Sequence, residues 1–157
     1  MKIWETRRFS RKEQGGRKMF ADYHVHTEFS DDSVYPMEDV VRDAIAMGMD
    51  EICFTDHVDY GIKEDWDSQK EIVYRQGEPM ANVDYPRYAS EIERLRKAYG
   101  DRIVIRMGME FGMQMHTIEK FQSLYGRYPF DFIILSVHQV EDKEFWNGDF
   151  QAGRSQK

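Results

Sequence analysis

Cysteine is almost missing from this 157-residue chain: Cys53 stands alone. Without a second thiol no intrachain disulfide can form, and a reduced, cytoplasmic setting is the expectation. Long apolar runs are missing too. No stretch approaches the roughly 18 to 20 residues that cross a bilayer, and nothing resembles the apolar segment of a secretory signal, so a soluble protein with no membrane partner is expected. The third absence is a basic surface. Lys and Arg total 22 against 29 Asp and Glu, a formal charge of -7, whereas a dedicated nucleic-acid binder needs a basic face to displace condensed counterions. No nucleic-acid partner is expected, and an anionic substrate would need metals or local arginines to offset the protein's own field. Internal repeats and low-complexity tracts are also lacking.

What remains is a chain that is 41% hydrophobic, long enough for one domain with a real core. Residues 1–19 differ from the rest. They hold seven bases (Lys2, Arg7, Arg8, Arg11, Lys12, Arg17, Lys18) against Glu5 and Glu13, a net +5, which leaves -7 - 5 = -12 for residues 20–157. A solvated or partly ordered N-terminal extension is expected there, followed by one domain over 20–157. An organellar presequence is the alternative, but Ser10 is the only serine and two acids intervene. Met19 is also placed to be a natural start.

From Phe20 onward, short apolar runs alternate with amphipathic stretches, the rhythm of β/α units. Strands are expected near residues 20–24, 51–55, 103–109 and 132–135. Between them, Pro36 suits the first turn of a helix whose apolar face is Met37, Val40, Val41, Ala44 and Ile45, closing at Gly48. A second helix, about 85–99, buries Tyr88, Ile92, Leu95 and Tyr99 and stops at Gly100; a shorter third, about 118–125, turns Ile118, Phe121, Leu124 and Tyr125 inward. Residues 58–84 read as a long polar connection, a length typical of substrate loops or floppy insertions.

Four of the five histidines fall where expected strands end: His24-Val25-His26 with Asp32 nearby, Asp56-His57, and Ser136-Val137-His138, joined by the carboxylate of Gly108-Met109-Glu110. In parallel β/α architectures the carboxyl ends of the strands form the functional face. Side chains two apart on a strand point the same way, so His24 and His26 make a two-nitrogen clip over which Asp32 can close. Imidazole and carboxylate are ligands that borderline divalent metals prefer, and their convergence would make a polynuclear metal site of the kind metal-dependent hydrolases use. Each element alone has an ordinary explanation: Asp56 as a turn cap, His57 as a surface imidazole, Glu110 as an ion-paired carboxylate. The conjunction is what points to metal. His116 is assigned to the surface, and the ten methionines to core filling and contact surface rather than to ligands.

These residues resemble the successive motifs of the polymerase and histidinol phosphatase (PHP) superfamily: residues 24–32 (HVHTEFSDD), Phe54-Thr55-Asp56-His57, Gly108-Met109-Glu110 and Ser136-Val137-His138. The connecting sequence, especially residues 131–138 and Phe145-Trp146, is most similar to histidinol-phosphatases. The resemblance implies an α/β fold, a distorted (β/α)7 TIM-like barrel. It implies up to three metals, usually zinc, iron or manganese, and a phosphate monoester substrate, L-histidinol phosphate in histidine biosynthesis. His24, His26, Asp32, His57, Glu110 and His138 would be ligands, with Glu110 bridging and Asp31 as the alternative to Asp32. Glu110, His57 and Asp56 form the expected catalytic set, Asp56 by orienting a ligand histidine. Arg154 would grip the phosphate or, alternatively, stand as a solvated base.

The family's barrel continues for roughly another hundred residues, with a further histidine ligand and a late Asp-x-His pair. Residues 139–157 contain no histidine. About four β/α units are therefore expected, the N-terminal portion of the barrel, with an unpaired strand edge open to self-association. An authentic short product, a frameshift relic and one half of an assembly are equally compatible. Two functional alternatives follow: a metal- or partner-binding remnant without activity, and a phosphodiesterase or nuclease, which the acidic surface disfavours.

Overall fold

The computed structural model describes residues 18–75 and 77–155. All but the last two positions of the basic extension expected over residues 1–19 lie outside the described residues. The first unit is strand β1 (Ala21–Val25) followed by helix α1 (Met37–Ala46), which buries Met37, Val41 and Ala44. Pro36 sits at the N-cap, one residue before the helical turn expected for it, and the Glu28 carboxylate accepts from the Met37 N–H at 2.5 Å. That bond ties the loop after β1 to the start of the helix. Gly48 closes the unit at φ 77°, a conformation that Gly adopts without Cβ strain.

Strand β2 (Glu51–Phe54) is wholly buried and is followed by a two-residue strand, β3 (His57–Val58). The connection over residues 58–84 is more ordered than its polar composition suggests. It contains a small antiparallel hairpin, β4 (Tyr74–Arg75) with β5 (Glu78–Pro79), and buries Tyr60, Lys63, Asn82 and Val83. The Asp65 carboxylate organises it, accepting from the hydroxyls of Tyr60 and Tyr85 and the amide of Asn82 at 2.8–2.9 Å. Helix α2 (Tyr85–Tyr99) begins where Asp84 accepts from the Arg87 N–H and buries Tyr85, Tyr88, Ile92 and Leu95. Burial of each such apolar side chain stabilises the fold by about 1.5–3 kcal/mol.

Strand β6 (Val104–Gly112) is the spine of the sheet, pairing in parallel with β2 through Val104 to Met107, with β3 at Glu110 and Phe111, and with β7 (Phe132–Ser136) from Gly108 to Gly112. It runs three residues past its expected end at Met109 because β3 and β7 flank it there. Glu110 is therefore inside a strand rather than just beyond one. A 3-10 turn (Met115–Thr117) leads into helix α3 (Ile118–Arg127), which buries Phe121 and Leu124. Tyr125, expected inward, is 44% exposed, because α3 covers the sheet with a narrower stripe than its apolar pattern offered. A last hairpin, β8 (Gln139–Val140) with β9 (Lys143–Glu144), follows β7.

The parallel strands curl into a half-barrel with helices outside. β1 and β7 lie at opposite margins of the sheet, yet the rings of Tyr23 and Phe132 meet edge to face at 5.1 Å, which only a strongly curled sheet allows. No helix among the described residues is long and apolar enough to cross a membrane.

Candidate metal centre

A bulge and the register of the sheet place the donor groups. Between Asp22↔Ile52 and Val25↔Phe54, three steps on β1 match two on β2, a bulge that re-aims the strand just before His26. Past Phe54 the register with β6 is kept: the Asp56 carbonyl accepts from the Glu110 N–H at 3.1 Å, and His57 stands opposite Glu110. His57 and Glu110 are thus neighbours by register, whereas Ile134 of β7 lies on the other side of Glu110.

Glu110 is the meeting point. Its side chain is 5% exposed; Oε2 lies 2.8 Å from His24 Nε2 and 3.0 Å from His26 Nε2, while Oε1 lies 2.9 Å from His138 Nε2 and accepts from Ser136 Oγ at 2.6 Å. Asp32 Oδ2 lies 2.8 Å from His26 Nδ1 and 3.2 Å from His57 Nε2. His57 Nδ1 is buried without a hydrogen-bond partner, 3.7 Å from Glu110 Oε2. The rings of His24, His26, His57 and His138 follow one another at centroid spacings of 5.0, 4.3 and 4.6 Å. Three overlapping groups have donor atoms within 4.8 Å of one another: His24, His26 and Glu110; His26, Asp32 and His57; His57, Glu110 and His138.

Such crowding needs positive charge to offset it. Burial disfavours the imidazolium of His26, but hydrogen bonds to Asp32 and Glu110 outweigh it and raise the pKa to about 10. Burial likewise opposes the charged form of His138, yet Asp59 and Glu110 raise it to about 9. Bonds from His26 and His57 hold Asp32 far below the carboxylate range; at Glu110 burial works upward, but His138, His26 and Ser136 draw it down. A divalent cation bound among these donors would offset the same carboxylate charge, and its binding would compete with protons for the imidazoles. The unpartnered buried nitrogen of His57 and the all-nitrogen-and-oxygen donor set both fit a borderline divalent metal.

Two expected residues stand elsewhere. Asp56 is fully buried, and its carboxylate accepts from the Thr27 N–H at 2.7 Å, the Thr27 hydroxyl at 3.1 Å and the Ser30 hydroxyl at 2.9 Å. The expectation that it orients a histidine is corrected: its bonds hold the loop that follows His26. Burial raises its pKa, against the bonds from Thr27 and Ser30. Arg154 stacks 4.0 Å over the Phe150 ring and pairs with Glu141 at 2.8 Å; it is not part of the cleft described below. Asp31, the alternative to Asp32, pairs with Lys63 at 2.7 Å. His116 is exposed as expected, with Asp142 as partner at 3.0 Å.

The pattern of motifs missed Asp59 and Lys63, and contained Ser136 without giving it a role. Asp59 Oδ1 lies 2.7 Å from His138 Nδ1, and the charges of Asp59 and Asp31 keep the buried Lys63 ammonium protonated against desolvation. The available signal was spacing: Asp59 is two residues after His57 and Lys63 four after Asp59. A cleft of about 610 Å³ opens beside the donors, lined by Asp32, His57, His138, Lys63, Phe145 and Trp146 among others.

The PHP domain model matches residues 22–156. The histidinol-phosphatase of Lactococcus lactis subsp. lactis (strain IL1403) is 35% identical over 127 residues, covering 81% of this chain and 42% of that protein. A "Probable histidinol-phosphatase" of Schizosaccharomyces pombe is 32% identical over 105 residues, 66% of this chain and 33% of that one. Among solved structures, a Lactococcus lactis histidinol phosphate phosphatase complexed with zinc, L-histidinol and phosphate superposes with a TM-score of 0.66 at 33% identity, covering 80% of this chain and 42% of that chain. This chain thus spans less than half the length of the curated relatives it matches.

Proposed function

This chain belongs to the PHP domain family, and from that premise we propose that its centre is the metal-holding face of a phosphate monoester hydrolase of the histidinol-phosphatase kind. The observation that carries the proposal is the convergence of three histidines on the two oxygens of one buried carboxylate, Glu110. Its three overlapping donor groups would hold up to three divalent cations, zinc as in the Lactococcus lactis structure, or iron or manganese. When bound, such cations make hydroxide available near neutral pH, orient phosphate and offset charge on the transferring and leaving oxygens.

The chain's own groups do the positioning. Glu110, shared between two donor groups, fixes their separation, and Ser136 fixes the orientation of Glu110. Asp56, Thr27 and Ser30 hold the loop that presents His26 and Asp32. The aromatic wall of Phe145 and Trp146 offers the organic part of an ester an apolar surface. The partner on this reading is a small phosphate monoester in the cytoplasm, not nucleic acid. Self-association through β7, whose Leu135 is 69% exposed, is part of the same reading, and sedimentation velocity over a concentration series checks it.

The test is phosphate release from L-histidinol phosphate by the zinc-loaded full chain, with His26→Ala and a nucleic-acid substrate as controls. Release that His26→Ala abolishes supports the proposal, and nuclease activity instead sinks it. Zinc held without turnover supports a second reading, a metal-binding portion without activity.

A further inference from the structure

Lys63 belongs to no donor group, yet its ammonium is shut away beside them, the residue being 3% exposed. A lysine is almost never buried unless paired. Its Nζ lies 2.7 Å from Asp31 Oδ1 and 3.0 Å from Asp59 Oδ2, and the two carboxylates lead to different ligand-bearing segments. On one side Asp59 passes its other oxygen to His138 Nδ1 at 2.7 Å, leaving Nε2 toward Glu110. On the other, Asp31 immediately precedes Asp32, which faces His26 and His57.

The surroundings are shaped for this chain of contacts. The Asp59 N–H donates to Asn82 Oδ1 at 2.9 Å, which fixes the backbone from which the carboxylate projects. Gly112, two residues beyond Glu110 on β6, leaves the gap in which Asp59 and His138 meet: a Cβ there would stand 2.1 Å from Asp59 Oδ1 and 2.8 Å from His138 Nδ1. A phosphate-gripping role for Lys63 would need an open approach to the ammonium, and its side chain is 4% exposed with both flanks occupied by carboxylates.

We infer that Lys63 is a positioning residue: through Asp59 it holds His138 with the proton on Nδ1 and Nε2 free to face a cation, and through Asp31 it holds the loop that presents Asp32. It braces two ligand-bearing segments to one separation. The inference rests on the reading of His138 and Asp32 as metal ligands. Partners that orient a ligating imidazole are worth about 10- to 100-fold in metal affinity.

The experiment is a zinc titration by calorimetry on the full chain and on Lys63→Met and Lys63→Arg, with long-range nitrogen-15 NMR of the histidines in the zinc-loaded unmutated chain. Lys63→Met should weaken one zinc equivalent by about 10- to 100-fold. Lys63→Arg, which keeps the cation, should recover most of that loss. His138 should carry its proton on Nδ1. Parent-like affinity and stoichiometry in Lys63→Met overturns the inference, as does a proton on His138 Nε2, a result that stands even if Lys63→Met fails to fold. An unmutated chain that takes up no zinc overturns the metal-centre reading itself, and the brace with it.

Discussion

Replacing His26 and replacing His24 should have unequal consequences. His26 belongs to two of the three donor groups and is 17% exposed at the side chain, whereas His24 belongs to one and is 58% exposed. His26→Ala should lower zinc content by at least one equivalent per chain, and His24→Ala by at most one, measured by elemental analysis after gel filtration. Unchanged stoichiometry in His26→Ala would remove the ligand assignment. At this scale the motif residues were legible as chemistry, because imidazole and carboxylate are scarce and specific. Their partners were not. Asp56 sits beside His57 in sequence and suggested a contact that the chain does not make; its carboxylate is drawn to the Thr27 N–H instead, since a buried charge needs donors and the turn after β1 supplies three.

The hairpin of β8 and β9 shows how an element can hold strain beside a site. Glu141 and Asp142 both have positive φ, 54° and 56°, the conformation of a tight turn that favours Gly, Asn and Asp. Asp142 is compensated: its carboxylate accepts from Gln114 Nε2 at 2.8 Å and lies 3.0 Å from His116 Nε2, and its N–H donates to Gln114 Oε1 at 3.0 Å. Gly61 makes room for that carboxylate, since a Cβ would stand 2.1 Å from it. Glu141 has an exposed pair with Arg154. Glu141→Asn should therefore stabilise the chain by about 0.5–1 kcal/mol, read as a higher thermal midpoint. A lower midpoint would mean that the pair with Arg154 outweighs the backbone strain. The positions of the helices and main strands followed from periodicity, but the length of β6 did not. Strand ends depend on neighbours across the sheet, and β3 and β7 come from distant sequence.

For the whole molecule, metal and folding should be coupled. Four imidazoles and two carboxylates from β1, its loop, β3, β6 and the segment after β7 meet only in the folded chain, so a cation that binds them stabilises that state by mass action. Zinc at about a hundredfold excess over its dissociation constant should add about 2.7 kcal/mol. For a chain of this length that is roughly a 5–10 °C rise in thermal midpoint. A chelator should reverse it. A midpoint indifferent to both zinc and chelator would argue against any cation at the centre.

Composition and local pattern alone determined the β/α architecture, the acidic character, and which side chains carry metal-binding chemistry, because periodicity and residue type are properties of neighbouring positions. The three-dimensional fold decided the rest: that His57 stands opposite Glu110, that a bulge interrupts β1 just before His26, and that a buried lysine joins two carboxylates from separate segments. Those arrangements depend on strand register and sheet curl. Both are set by contacts between segments far apart in the chain, and no short window of sequence contains them.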